Sequence, residues 1–166
     1  MVQVVTFGVQ SAPPKREQAP PPGTLVAGQT EGEPWVGLVC RDERGDQDYY
    51  LMLTGPSRFE IRGIHNIDYP ADIPGTLLIE PLQGDLGFQL PAAPADSPIA
   101  LLMTADGRPH LRVGIEFGSG PREYISIDLA TGLEAPAIRH RLLLSRFRFL
   151  VQLEGREDPI ELARFD

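Results

Sequence analysis

One cysteine, one lysine and three histidines leave this 166-residue chain short of the side chains that most often carry chemistry. With Cys40 alone an intramolecular disulfide is impossible, and its neighbours Leu38 and Val39 predict a packed thiol in a reduced setting. His65, His110 and His140 form no His-x-His, His-x-x-x-His or Cys-x-x-Cys spacing, so a zinc site would have to be assembled from distant strands. No apolar run approaches the roughly 18 residues of a membrane span. The opening Met1–Phe7 lacks both the basic region and the long apolar core of an export signal. A cytoplasmic protein with no membrane segment is expected. A P-loop, a Gly-x-Gly-x-x-Gly after a strand and a kinase motif set are all missing, so no cofactor is expected. The net charge of −8 disfavours phosphate backbones, and no nucleic-acid partner is expected.

Proline and glycine, by contrast, are plentiful: 17 of each, spread along the chain rather than pooled. That is the punctuation of many short strands. The stretch Ser11–Gly23 holds Pro13, Pro14, Pro20, Pro21 and Pro22, and it cannot pack as a helix or a central strand. It contains no Pro-x-x-Pro, so it is not an SH3-type ligand; it either lies on its own domain or is ordered by a partner. Residues 1–23 therefore read as a strand, Val2 to Val9, followed by a Pro-rich arm, and residues 24–166 as a β domain.

Strands are predicted at Thr24–Ala27, Trp35–Arg41, Asp48–Thr54 and Arg58–Ile64, with a polar hairpin loop from Asp42 to Gln47. Pro70-Ala71-Asp72-Ile73-Pro74-Gly75-Thr76-Leu77-Leu78 returns 24 positions later as Pro94-Ala95-Asp96-Ser97-Pro98-Ile99-Ala100-Leu101-Leu102, with six of nine positions identical. Each copy opens a predicted hairpin: Thr76–Glu80 with Leu86–Leu90, and Ile99–Thr104 with His110–Phe117. Asp72 and Asp96 are expected to make equivalent turn bonds, and both leucine pairs to enter the core alike. Alternation marks further strands at Arg122–Leu129, Arg146–Phe149 and Ile160–Leu162. One short helix fits Ala135–Ser145, where Thr131 and Glu134 have capping-box spacing and Pro136 sits near the first turn.

A second echo runs at an offset of 77: Val36-Gly37, Thr54-Gly55 and Ile61-Arg62 return as Val113-Gly114, Thr131-Gly132 and Ile138-Arg139. It divides the β domain into two related halves, about 24–90 and 91–166, unless the shared turn vocabulary alone produces it. The fold expected is all-β, an antiparallel sandwich or Greek-key barrel with a Pro-rich N-terminal arm and at most one short helix.

Chemistry has three candidate seats. His65 beside Asp68, with His110 and Glu116, would supply a base and carboxylates around a cavity. Asp42, Glu43, Asp46 and Asp48 crowd one loop and would offer oxygens to calcium, although their order is not that of an EF-hand. Arg139, His140, Arg141, Arg146 and Arg148 concentrate positive charge in an acidic chain, either to dock an acidic partner or to pair with the chain's own carboxylates at Glu154, Glu157 and Glu161. With no nucleophile spacing present, the reading is a non-enzymatic protein-protein interaction or assembly module, such as a subunit of a phage-like particle. It would associate with itself or a protein partner through the arm, Pro20 to Pro22 included, or through Arg139, Arg141, Arg146 and Arg148. The rival is a small-molecule-binding or hydrolytic barrel built on His65, Asp68, His110 and Glu116.

Overall fold

The computed structural model describes residues 20–64, 70–82, 93, 97–104, 106–115, 123–135 and 142–166. Among these residues thirteen strands form three antiparallel sheets, so the all-β class holds. The arm up to residue 19, Val2–Val9 with it, lies outside the described residues.

The first sheet is a meander. β1 (Leu25–Thr30) turns through Glu31 and Gly32 into β2 (Glu33–Arg41), and both turn residues have positive φ, the geometry of a two-residue hairpin matched to strand twist. β3 (Asp48–Met52) follows the polar Asp42–Gln47 loop, and β4 (Ile61–Gly63) pairs with β3. β4 is shorter than the sequence suggests, because Phe59 takes a positive φ of 68° and turns its ring into the core. β5 (Ala71–Asp72) closes the sheet on the other side of β1, giving the order β4-β3-β2-β1-β5.

The second sheet repeats this plan. β7 (Ile99–Met103), β8 (Pro109–Ile115), β9 (Glu123–Asp128) and β10 (Glu134–Ala135) form the meander, and β11 (Leu142–Leu144) returns to β7. Its order, β10-β9-β8-β7-β11, is the first order with every strand number raised by six. The remaining members of the two series, β6 (Gly75–Pro81) and β12 (Phe147–Leu153), pair with each other, and β13 (Ile160–Phe165) flanks β12. The β6–β12 ladder runs from Gly75↔Leu153 to Pro81↔Phe147 with Leu78↔Leu150 at its centre. Equivalent bonds close it at both ends: Leu82 N–H donates to Arg146 O, and Glu154 N–H donates to Pro74 O. An antiparallel ladder between corresponding strands places a two-fold axis at that centre.

Matching rows cross the two meanders. Leu25, Leu38 and Leu51 stand side by side on β1, β2 and β3; Leu101, Leu111 and Ile127 do so on β7, β8 and β9. On the fifth strands Ile73 N–H bonds Leu25 O and Leu144 pairs with Leu101. These residues, with Phe147, Phe149 and Val151 of β12, form one core between the sheets. Phe59, Phe147, Phe149 and Phe165 pack as tilted and edge-to-face rings 4.7–6.4 Å apart, a geometry that adds to their area burial. Deep burial of Cys40 beside Leu38 agrees with the expected packed thiol and pushes its pKa up.

Three expectations are corrected. The segment predicted to be helical begins and ends in strand, at β10 and β11, with 136–141 outside the described residues. The Thr131 and Glu134 side chains do not close a capping box: the Thr131 hydroxyl accepts from Leu133 N–H, and Glu134 reaches across to Tyr49. Second, the repeated Pro-Ala-Asp unit launches unlike strands. β7 and β8 form the expected hairpin, but β6 pairs with β12, and Leu86–Leu90 falls outside the described residues. Third, Leu101 and Leu102 are both buried, whereas Leu77 faces the core and Leu78 is 38% exposed. Asp96 lies outside the described residues, so its turn bond has no description beside Asp72.

Candidate functional site

The outward side of the second sheet carries the most concentrated polar chemistry of the described residues. On β8, alternation sends Leu111 and Val113 into the core and His110 and Arg112 to the opposite face. His110 is only 6% exposed there. Directly across the ladder stands Asp128, 7% exposed. Its carboxylate meets the Arg108 guanidinium at 3.0 Å and accepts from Ala130 N–H at 2.9 Å, which fixes the turn after β9. Burial lowers the His110 pKa, with the Asp128 charge working against it, so the ring is neutral at pH 7 and its Nδ1 has no hydrogen-bond partner among the described residues.

Two further walls complete a cleft of about 470 Å³. One is the β7–β8 turn, where the Thr104 hydroxyl and the Arg108 backbone bond each other at 3.0 Å and Gly107 takes a positive φ. That hydroxyl also bonds Asp106 and holds its carboxyl below the usual range. The other wall is Leu133, 44% exposed, followed by Glu134. Glu134 accepts from the Tyr49 hydroxyl at 2.6 Å and from Glu43 N–H at 3.2 Å, tying the cleft to the first sheet. Burial pushes the Tyr49 pKa up, which keeps its hydroxyl a donor.

Of the four residues put forward for catalysis, His110 alone is described; His65, Asp68 and Glu116 lie outside the described residues. The partners it does meet, Asp128 and Arg108, come from the facing strand and its own turn. Asp128 is not among the residues that the sequence put forward. A signal for it existed: Ser119, in the sequence Gly118-Ser119-Gly120, is equidistant in sequence from His110 and Asp128, so pairing about that point puts them opposite.

The acidic loop is spent on its own structure. Asp42 accepts from the Asp46 and Gln47 backbone N–H groups, and Asp48 takes a two-pronged bond from Arg41 at 2.7 and 3.1 Å. Glu43 contributes its backbone to Glu134. Among the described residues no three His, Cys, Asp or Glu side chains gather as a metal site. Arg148 lies between Glu80 and Glu161, at 2.6 and 3.0 Å, and Arg146 reaches Asp166 at 3.6 Å. Both arginines stand opposite buried Phe147 and Phe149, as the alternation predicts, and they pair with the chain's own carboxylates; Arg139 and Arg141 lie outside the described residues.

The root of the arm is fixed. Pro20 is buried, Gly23 N–H donates to Val39 O at 2.8 Å, and Val39 N–H donates to Thr24 O at 2.9 Å. A Cβ on Gly132 would fall 2.3 Å from the Gly23 nitrogen and from Val39 O, so only glycine lets the arm, β2 and the second sheet's turn meet there. Arg41 N–H donates to Gly132 O at the same seam. No protein-family model matches the chain, and comparisons with curated proteins and with solved structures gave no match.

Proposed function

We propose that the chain is a non-enzymatic interaction or assembly module, a two-repeat β body that carries its Pro-rich N-terminal segment to a neighbouring subunit. The observation that carries this reading is the anchorage of Pro20–Thr24 at the seam between the two meanders. A segment whose last residues are clamped starts from a fixed point, which lowers the ordering cost of engaging a partner. The internal pairing of Arg148 with Glu80 and Glu161 favours the arm over that basic strand as the binding element.

Light scattering after size exclusion tests it, on the full chain and on a version beginning at Pro20, which keeps the clamp. Loss or change of association with an unaltered melting temperature is expected for the shortened chain. A monomer in both samples, each at its own chain mass across a wide concentration range, would contradict the arm's role.

A further inference from the structure

Counting outward from the matched rows aligns the outer faces of the two sheets. Gly28 and Thr104 lie three residues after Leu25 and Leu101; Trp35 and Arg108 lie three before Leu38 and Leu111. Gly37 corresponds in the same way to His110, and Met52 to Asp128. On the first sheet the place is filled from within. A Cβ on Gly28 would lie 2.4 Å from Trp35 Cζ2, and one on Gly37 would lie 3.3 Å from Cζ3, so the indole rests against two bare backbones and packs with Tyr50 at 5.8 Å. On the second sheet no indole is present. Thr104, Arg108, His110 and Asp128 surround the open cleft instead.

We propose that this cleft receives the guanidinium of a partner's arginine, its aliphatic stem along Leu133 and its planar head toward Asp106 and Glu134. Charge favours a cation: Asp106, Asp128 and Glu134 line the cleft against Arg108 alone, and Arg108 is already paired with Asp128. Glu134 is held by two donors that carry no charge, so among the described residues no cation neutralises it. The exposed Leu133 wall suits the apolar stem of an amphipathic side chain rather than a bare ion. His110, buried in the cleft lining with an unpaired Nδ1, is the polar group that a five-donor guanidinium can satisfy along with the carboxylates.

The test needs no association between chains, so its outcome is separable from that of the arm. The full chain is titrated with arginine amide, lysine amide and the uncharged isostere citrulline amide, and backbone amides are followed by NMR. Arginine amide is expected to bind saturably, with shifts at Thr104, Arg108, His110, Asp128 and Glu134, while the fluorescence of Trp35 stays unchanged. Citrulline amide is expected to give no saturable shift, and lysine amide to bind more weakly. Asp106→Asn, at an exposed position, is expected to weaken arginine amide about ten-fold, the scale of one charge-assisted hydrogen bond. Absence of binding, equal binding by citrulline amide, tighter binding by lysine amide or unchanged affinity in Asp106→Asn would each overturn the proposal.

Discussion

The two five-stranded sheets share a strand order and a buried row, while their outer faces carry different chemistry. Over the first sheet Trp35, Tyr50, Val26, Val39 and Met52 form a second apolar cluster. At the matching level of the second sheet stand His110, Arg112 and Asp128, with Arg112 beneath the Tyr124 ring at 4.5 Å. Inward positions face a core common to both repeats, so a polar replacement on either sheet damages the whole body. Outward positions answer only to their own surroundings and are free to diverge. The difference separates residues that hold the repeats together from residues that distinguish them.

The comparison can be broken at its strongest point first. Leu38→Ala and Leu111→Ala each empty a fully buried site of the matched rows, and each is expected to cost about 3 kcal/mol in urea unfolding. A loss under about 1 kcal/mol in one of them would show that the two rows do not share one core. Gly28→Ala tests the outer face of the first sheet, where the added methyl meets the Trp35 ring; a cost of about 1–3 kcal/mol and a shifted Trp35 emission are expected.

A smaller effect comes from His110. Its pKa is lowered in the folded state, so the unfolded chain takes up the proton first, and stability falls as pH drops through the ordinary histidine value of 6.5. His110→Gln is expected to remove that part of the acid destabilisation and leave behaviour above it unchanged, as read from melting temperatures at a series of pH values. The smallest change is expected at Arg148→Ala, which opens an exposed ion pair cluster with Glu80 and Glu161. Its melting temperature should move less than in any core variant, and less again in high salt.

Fold class was legible because strand alternation and turn residues act locally. The hairpin of β7 and β8 follows from Asp106-Gly107, and the β2–β3 hairpin from its polar loop. Long-range choices were not legible. The pairing of β6 with β12 joins segments about seventy residues apart, and no local signal in Thr76–Glu80 announces it. That choice also explains why Leu78 and Leu102 differ in burial although both follow a Pro-Ala-Asp-x-Pro sequence. β6 lies at the edge of a three-stranded sheet, with Leu78 turned away from the core, whereas β7 lies inside a five-stranded one. Glu134 misled for the same reason: its capping-box spacing is local, but the Tyr49 hydroxyl that claims it is 85 residues distant. At the cleft, His110 stood out as one of only three histidines, while Asp128 became visible once the β8–β9 register was known.

Native-state hydrogen exchange of the full chain tests the equivalence of the repeats most directly. The row amides of Leu25, Leu38 and Leu51 and those of Leu101, Leu111 and Ile127 belong to one core in this account. Protected amides of both rows are therefore predicted to exchange with one common free energy, equal to that of global unfolding. Exchange of either row through an opening that leaves the other protected would contradict it.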